Sequence, residues 1–455
     1  MVEGRGNEGA SHVQLNRFIL LPILAALLIS CAKKEEILDG QRFDIRTPLD
    51  QAVPTLNGVS PSADVINRTI PIKLPAAKNL ANWTHRNSGA DHAAPNLALA
   101  ANLTHIWSAN IGNGNDRKHR ITSDPIVSGG MIFTLDAESR VMAHSTDGKP
   151  VWQRSLTPGI EKSDEASGGG LAYESGVIYA TTGFGVLTAL RATDGSVLWE
   201  QKLGAPVTAA PMVSKGRVYV VSRDNRAWAI NTKNGRVDWQ QQSTTADAGL
   251  MGGSSPAIAG RTVILPFSSG EMVAALTGNG LRVWSVAVSG SRRGQARSNI
   301  SDISSDPVIA GNRIYAANQS GRIVAVDRQS GERLWTANEG SYSPVWPVGG
   351  SVFLVSDASQ LVRLDARNGD TIWAVDLPLY KKEKTHRSSY AHYGPVLAGG
   401  RLIVASSDGS LRSFDPASGE LLSEVSVPSG AASQPAIVNG VLYVLSQNGQ
   451  LHAYR

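Results

Sequence analysis

Between Asp306 and Trp335 the chain reads DPVIAGNRIYAANQSGRIVAVDRQSGERLW, and its apolar and polar positions fall into four short runs separated by turn residues. Pro307 to Ala310 is the first run and ends at Gly311-Asn312. Arg313 to Ala317 is the second, carrying Ile314 and Tyr315, residue types that suit a pleated, half-buried surface. After Ser320-Gly321 the third run, Arg322 to Asp327, sets Ile323 and Ala325 against Val324 and Val326. That period of two sends successive side chains to opposite faces of a strand. Ser330-Gly331 turns the chain again, and the fourth run holds Leu334 and Trp335. The pattern predicts four antiparallel strands joined by tight turns.

The same unit recurs along the chain. Trp152, Trp199, Trp239, Trp284 and Trp373 close further copies; Pro125, Pro211, Pro256, Pro344, Pro395 and Pro435 open them, and Leu171 opens one more. A period of roughly 40 to 50 residues with four strands fits a β-propeller blade, whereas ankyrin, TPR and leucine-rich units are shorter and partly helical. The openings predict about eight blades. From Pro435 the chain reads PAIVNGVLYVLSQNGQLHAYR, three runs without the closing tryptophan, while Leu103 to Gly112, LTHIWSANIG, has Trp107 and no three strands before it. The N-terminal strand is therefore expected to complete the C-terminal blade, closing the ring and removing its open edges. The fold class expected is all-β, an eight-bladed propeller of four-stranded antiparallel blades over residues 103–455.

Composition agrees with a folded chain. Of 455 residues, 42% are hydrophobic and 18% charged, and 46 Gly with 22 Pro supply the turns that many short strands need. The formal charge of +5 and pI near 9.2 are mild for this length, so nothing points to nucleic acid.

Ahead of the ring the pattern changes. A polar stretch with Arg5, His12 and Arg17 precedes Phe18 to Ile29, FILLPILAALLI, an apolar run too short for a bilayer span, which needs about 20 residues, but suited to a secretory signal. Leu28-Ile29-Ser30-Cys31 resembles the bacterial lipobox, in which cleavage precedes an acylated cysteine, and Cys31 is the only cysteine present. Residues 1–30 are read as a lipoprotein signal peptide, and Cys31 as the lipidation site that anchors the chain to a membrane. Ala32 stands where an Asp would resemble an inner-membrane retention signal, so the periplasmic face of the outer membrane is the expected destination. Residues 31–102, rich in proline and charge, are read as a tether that packs in part, with Trp83 in WTHRNSGADHAAPN laid against the propeller. His85 and His92 in that stretch lack further ligands at metal spacing.

The search for catalytic chemistry finds little. No phosphate-cradling loop, G-x-S-x-G elbow or H-E-x-x-H occurs. His386 and His392 lie near Lys381, Lys382 and Arg387, neighbours that oppose a bound cation, and are read as surface loop residues. Asp327, Asp365 and Asp415 recur just before a glycine turn, where a carboxylate caps backbone N–H groups. The repeated tryptophans are read as packing between sheets. No catalytic residue, metal or cofactor is assigned.

Ala325-Val326-Asp327, Ser330-Gly331 and Trp335, echoed by Leu364-Asp365, Asn368-Gly369 and Trp373, resemble the repeat of the quinoprotein-like propeller family. One branch is the pyrroloquinoline-quinone dehydrogenases; the other is the BamB lipoproteins of the outer-membrane β-barrel assembly machinery. The dehydrogenase branch implies a disulfide of adjacent cysteines beneath the cofactor, which a chain with Cys31 alone cannot form. The lipobox favours the BamB branch. That resemblance implies a non-catalytic scaffold that binds the periplasmic POTRA domains of the barrel-forming subunit BamA and assists unfolded outer-membrane precursors. A quinone-dependent oxidoreductase and a propeller binding an envelope polymer, through basic segments such as Arg292-Arg293 and Lys381-Lys382, stand as alternatives.

The long connections between blades, residues 153–170, 240–255, 285–306 and 374–394, predict one elaborated face, where function on a rigid scaffold usually sits. By resemblance the partner-binding loops are Gly249-Leu250-Met251-Gly252-Gly253-Ser254-Ser255-Pro256 and Ser301-Asp302-Ile303-Ser304-Ser305-Asp306-Pro307. Leu250 matches an apolar contact and Asp302 an acidic one, with Met251, Ile303 and Ser304 beside them; Met251 replaces an Arg of the family and Ser304 a second Asp.

Overall fold

The computed structural model describes residues 67–246, 249–250, 252–292 and 299–455. Cys31 and residues 1–30, read above as a signal peptide, lie outside the described residues. Eight four-stranded antiparallel sheets follow one another along the chain, at residues 126–155, 169–202, 212–242, 257–287, 308–337, 346–376, 392–426 and 436–454, the last completed by His105–Asn110. These are blades 1 to 8. Blade 5 has strands Val308–Ala310, Arg313–Asn318, Arg322–Asp327 and Arg333–Ala337, within a residue or two of the expected runs. His105–Asn110 pairs antiparallel with Gln450–Tyr454, so the first of the described strands is the outermost strand of the last blade.

Each blade is too thin to bury both faces alone, and its apolar side chains meet those of its neighbours. Val308, Tyr315 and Ala325 of blade 5 share a core with Val352, Leu354 and Val362 of blade 6. Leu402 and Tyr443 of blades 7 and 8 share another with Val127 and Ile132 of blade 1. The core is therefore a ring of inter-blade layers, continuous across the closure.

Tryptophan sets the spacing of those layers. Trp284 of blade 4 donates from Nε1 to Arg328 O of blade 5 at 3.1 Å, and a Cβ built on Gly331 would come within 2.6 Å of its ring. Gly331 turns at φ 75°, a conformation open to glycine, so one residue serves both the turn and the ring. Trp152, Trp199, Trp239 and Trp335 make the same donation to Ala192, Thr232, Thr277 and Ala366. In blade 7 the equivalent position, opposite Ser413, is Ser423. Trp373 docks on Gly419 without the hydrogen bond, because Arg363 takes the Pro416 and Ala417 carbonyls. Asp327 caps its turn as expected: Oδ1 accepts from the N–H groups of Gln329 and Ser330, both at 2.9 Å. Those bonds to Ser330 and Gln329 hold the carboxyl below its ordinary range.

Residues 67–100 lie along the ring, exposed or half-buried over 67–82 and more deeply packed from Trp83 on. Asn67 bonds through its amide to both backbone groups of Ala374, and Arg68 N–H donates to Ile372 O at 3.0 Å, along the outer strand of blade 6. Two buried arginines bolt this segment down: Arg363 donates to Ile70 O and Arg401 to Ala100 O. The structure also corrects one surface reading. His392 is buried in the first strand of blade 7, its Nδ1 2.7 Å from Ser406 Oγ and its Nε2 2.8 Å from Pro378 O, while His386 is exposed. Its strand pairing outweighs the cationic neighbours that the sequence places beside it.

The closure is stitched by side chains as well. Ser108 Oγ lies 2.8 Å from His452 Nδ1 and from His105 Nε2, and His452 Nε2 lies 2.9 Å from Ser446 Oγ. Burial, reinforced by His105, pushes the His452 imidazole down to about 4. The unfolded chain then binds protons between about pH 6.5 and 4 that the native state refuses, so this share of stability is complete above that window and is lost on acidification. Glu339, pushed up to about 7 by burial, works in the opposite sense. His452→Gln isolates the first effect: the drop in Tm between pH 7 and pH 4.5 is expected to shrink relative to wild type, and an unchanged drop would refute the assignment. Deleting Leu103–Gly112 is expected to abolish cooperative unfolding in a circular-dichroism melt, since blade 8 loses its outer strand; a sharp transition near the wild-type Tm would mean that the ring does not need it.

Candidate functional site

Connections entering the first strand of each blade gather on one face, and the short turns after the first and third strands lie on the other. Residues 80–98 enter the axis from the turn face. Leu80 O accepts from Asn439 N–H, and Asn82 Oδ1 accepts from Ser128 Oγ and Gly129 N–H. Trp83 pairs with Val127, and Thr84 O accepts from Tyr173 N–H. Beyond the tip of the segment, Ala90 O and Asp91 O accept from Ile258 and Ile309, and Leu97 pairs with Ala398. The inner strands of a propeller leave their axial backbone groups unpaired, and here the chain's own extended segment satisfies many of them. Asn87, Ser88 and His92 reverse its direction at φ 52°, 87° and 57°.

Arg86 sits at the tip. Its Nε lies 3.1 Å from Asp124 Oδ2 and 3.3 Å from Asp306 Oδ2, and Nη1 donates to Gly253 O at 3.2 Å. Asp306 Oδ1 accepts from Ser255 N–H at 2.7 Å, and Asp124 Oδ1 from Gln434 N–H at 2.9 Å. One guanidinium thus joins the loops entering blades 1, 4, 5 and 8. Burial opposes its charge, but Asp306 and Asp124 outweigh that and keep it above its ordinary range. Burial raises the Asp124 carboxyl despite Arg86, and lowers the nearby His85 imidazole to about 4.

Above Arg86 the loop face opens into a cavity of about 220 Å³ whose wall includes Arg120, Leu250, Ile303, Tyr342 and Tyr393. Leu250 is half-buried at its rim. Asp302 is buried: Oδ2 accepts from Leu250 N–H and lies 3.2 Å from Arg223 Nη1. Ile303 is buried in the layer between blades 4 and 5 with Ala257 and Trp284, and Ser304 Oγ donates to Ser341 O at 2.6 Å. The structure brings Leu250, Asp302, Ile303 and Ser304 together, with divided roles. The acid, the isoleucine and the serine are buried within the loops, whereas the leucine is half-buried in the cavity wall; Met251 lies outside the described residues. Sequence reasoning missed Arg86, Tyr342, Tyr393 and Arg223. Arg86 stands in a stretch without hydrophobic period, and its acidic partners are 38 and 220 residues away (124 − 86 and 306 − 86). Among the described residues no group of three or more His, Cys, Asp or Glu is placed to hold a metal.

A closed ring of eight blades with an axis filled by its own chain and one elaborated face defines a propeller of the quinoprotein-like class. A sequence profile described as outer membrane protein assembly factor BamB matches residues 137–375 and 379–455. The chain belongs to that family. The BamB of Yersinia pestis is 27% identical over 361 residues, 77% of this chain and 88% of the relative. The crystal structure of BamB from Moraxella catarrhalis superposes with a TM-score of 0.66 at 19% identity, covering 78% of this chain and all of that one. The quinohemoprotein alcohol dehydrogenase of Comamonas testosteroni also reaches 0.66 at 17% identity, over 83% and 81% of the two chains. At these identities the structural likenesses show the fold alone.

Arg86→Met leaves Asp124 and Asp306 facing each other in the axis without their cation. Removing one partner of a buried ion pair typically costs about 3–5 kcal/mol, and a urea titration is expected to show a loss of that order. Adding Asp306→Asn should recover part of it; wild-type stability in Arg86→Met would show that the axis does not depend on this contact.

Proposed function

We propose that this protein is a non-catalytic scaffold lipoprotein of the outer-membrane β-barrel assembly complex. In this reading acylated Cys31 holds it at the periplasmic face of the outer membrane, and the loop face docks on the POTRA domains of a BamA-type subunit. The observation that carries the reading is the pair of loops entering blades 4 and 5. Asp302 ties them together through Leu250 N–H and Arg223, leaving Leu250 in the wall of a cavity where Tyr342 and Tyr393 stand beside Arg86, Arg120 and Asp124. A fixed apolar side chain over a cavity suits an interface anchor, since anchors contribute most where their own ordering is already complete. Asp302 is then a positioning residue. Family membership and the names of the relatives, outer membrane protein assembly factors, support the cellular context. Holding unfolded outer-membrane precursors near the barrel-forming subunit is part of the same proposal.

The oxidoreductase reading is less well supported. The adjacent-cysteine disulfide implied by that branch has no counterpart in a chain with one cysteine.

Affinity purification from detergent-solubilised envelopes tests the proposal. Wild type is expected to retain the barrel-forming subunit, and Leu250→Asp to lose it by at least about tenfold with an unchanged Tm, as for a central interface residue. Asp302→Asn should weaken retention less. Undiminished retention by Leu250→Asp and Asp302→Asn together would remove this interface. Dye-linked alcohol oxidation by the protein given pyrroloquinoline quinone and calcium would return it to the enzymes.

A further inference from the structure

The connection from blade 6 to blade 7 carries a small hairpin of its own, Tyr380–Lys382 paired with Arg387–Ser389 across the turn Glu383–Thr385. Residues 381–389 are all exposed. An exposed two-stranded ribbon is marginal by itself, and here aromatic contacts brace it. Tyr380 stacks on His386 with ring centroids 4.7 Å apart and planes 13° apart, and Lys381 Nζ lies 5.7 Å from the Tyr390 ring centroid. The ribbon presents Lys381, Lys382, Lys384 and Arg387 against one carboxylate, Glu383. None of these four cations forms a salt bridge within the described residues.

A second feature lies at the same corner. The described chain begins at Asn67, bonded to Ala374 on the outer strand of blade 6, and from there runs past Ile372 toward Gly349 on the turn face. It therefore enters from the loop-face end of Thr371–Asp376, the end from which the hairpin connection departs. Cys31 and Asn67 are 36 residue steps apart (67 − 31), a span of at most about 120–130 Å. A tether of that length keeps its attachment corner within reach of the anchoring surface, and that corner carries the basic ribbon.

We propose that the 380–389 hairpin is a docking surface for the anionic headgroups of a phospholipid bilayer. This rests on the reading of Cys31 as the lipid anchor, because the anchor brings a bilayer, rather than an acidic protein or a polymer, to this corner. Lysine and arginine near an anionic surface add attraction that decays within a Debye length, so the contact is sensitive to both salt and lipid charge. It fixes the side of the ring that faces the membrane.

The test uses the full acylated protein in vesicles, with Thr385→Cys labelled by an environment-sensitive fluorophore; acylated Cys31 does not react. Headgroup nitroxide lipids are expected to quench the label in vesicles of phosphatidylethanolamine and phosphatidylglycerol, but not in phosphatidylcholine, and about 0.5 M salt should reverse the quenching. A label at Asn279→Cys, on the turn face of blade 4, should stay unquenched. Lys381→Glu/Lys382→Glu/Arg387→Glu, at unchanged Tm, should abolish the Thr385 signal. Equal Thr385 quenching in both lipid mixtures, or none in either, overturns the proposal. Mass spectrometry of the N-terminal peptide reports separately on the anchor. If Cys31 is not acylated, co-sedimentation with the same anionic vesicles decides for the hairpin alone: wild type must bind at least about tenfold better than the triple variant, and equal binding refutes it.

Discussion

A flat indole resting on a glycine turn is the contact on which the ring depends. In blades 1 to 5 the last strand carries a tryptophan that covers the glycine turn of the next blade and closes with a hydrogen bond to a carbonyl there. The contact is directional, so it sets the angle between blades as well as their attraction. A Cβ at the glycine would occupy the space of the ring, and a residue without the indole would leave the turn's carbonyl without its donor. Blade 7, with Ser423 in place of the tryptophan, borders the stretch where residues 67–100 are most heavily bolted down by Arg363 and Arg401. Where the repeat lacks its own fastening, the segment ahead of the ring supplies one.

The same segment resolves the electrostatics of the axis. Inner strands of a propeller bring acidic loop residues close together, and Asp124 and Asp306 would repel each other in a poorly solvated channel. Arg86 sits between them, so the central charge is balanced by a residue that precedes every blade-opening strand in the sequence. The cavity above it is consequently a property of two parts of the chain, the loops that wall it and the inserted segment that floors it.

Much of this was legible in the amino-acid order because the repeat is local. The two-residue alternation of Arg322–Asp327, the glycine turn and the closing Trp335 lie within one blade, and the unpaired Trp107 announced the closure. What remained hidden depends on distant partners. Arg86 carries no local signal. Asp302 reads as an exposed acid until Arg223, 79 residues earlier (302 − 223), is seen beside it. His392 looked like a surface residue among lysines, yet strand pairing with Ser406 buries it. Local sequence reports which face a strand buries; it does not report which charge an axial loop will meet.

The threading of the axis also dictates an order of events. Residues 80–98 lie within a channel whose walls come from all along the chain, and the strand at 105–110 finds its partner only at 450–454. Synthesis or passage through a membrane pore delivers the N-terminus first, so those residues wait for a partner that emerges last. Until then the ring has an open gap, and its most non-local contacts are the ones still missing. A chain built in this way stays short of its native state while any of its C-terminus is withheld.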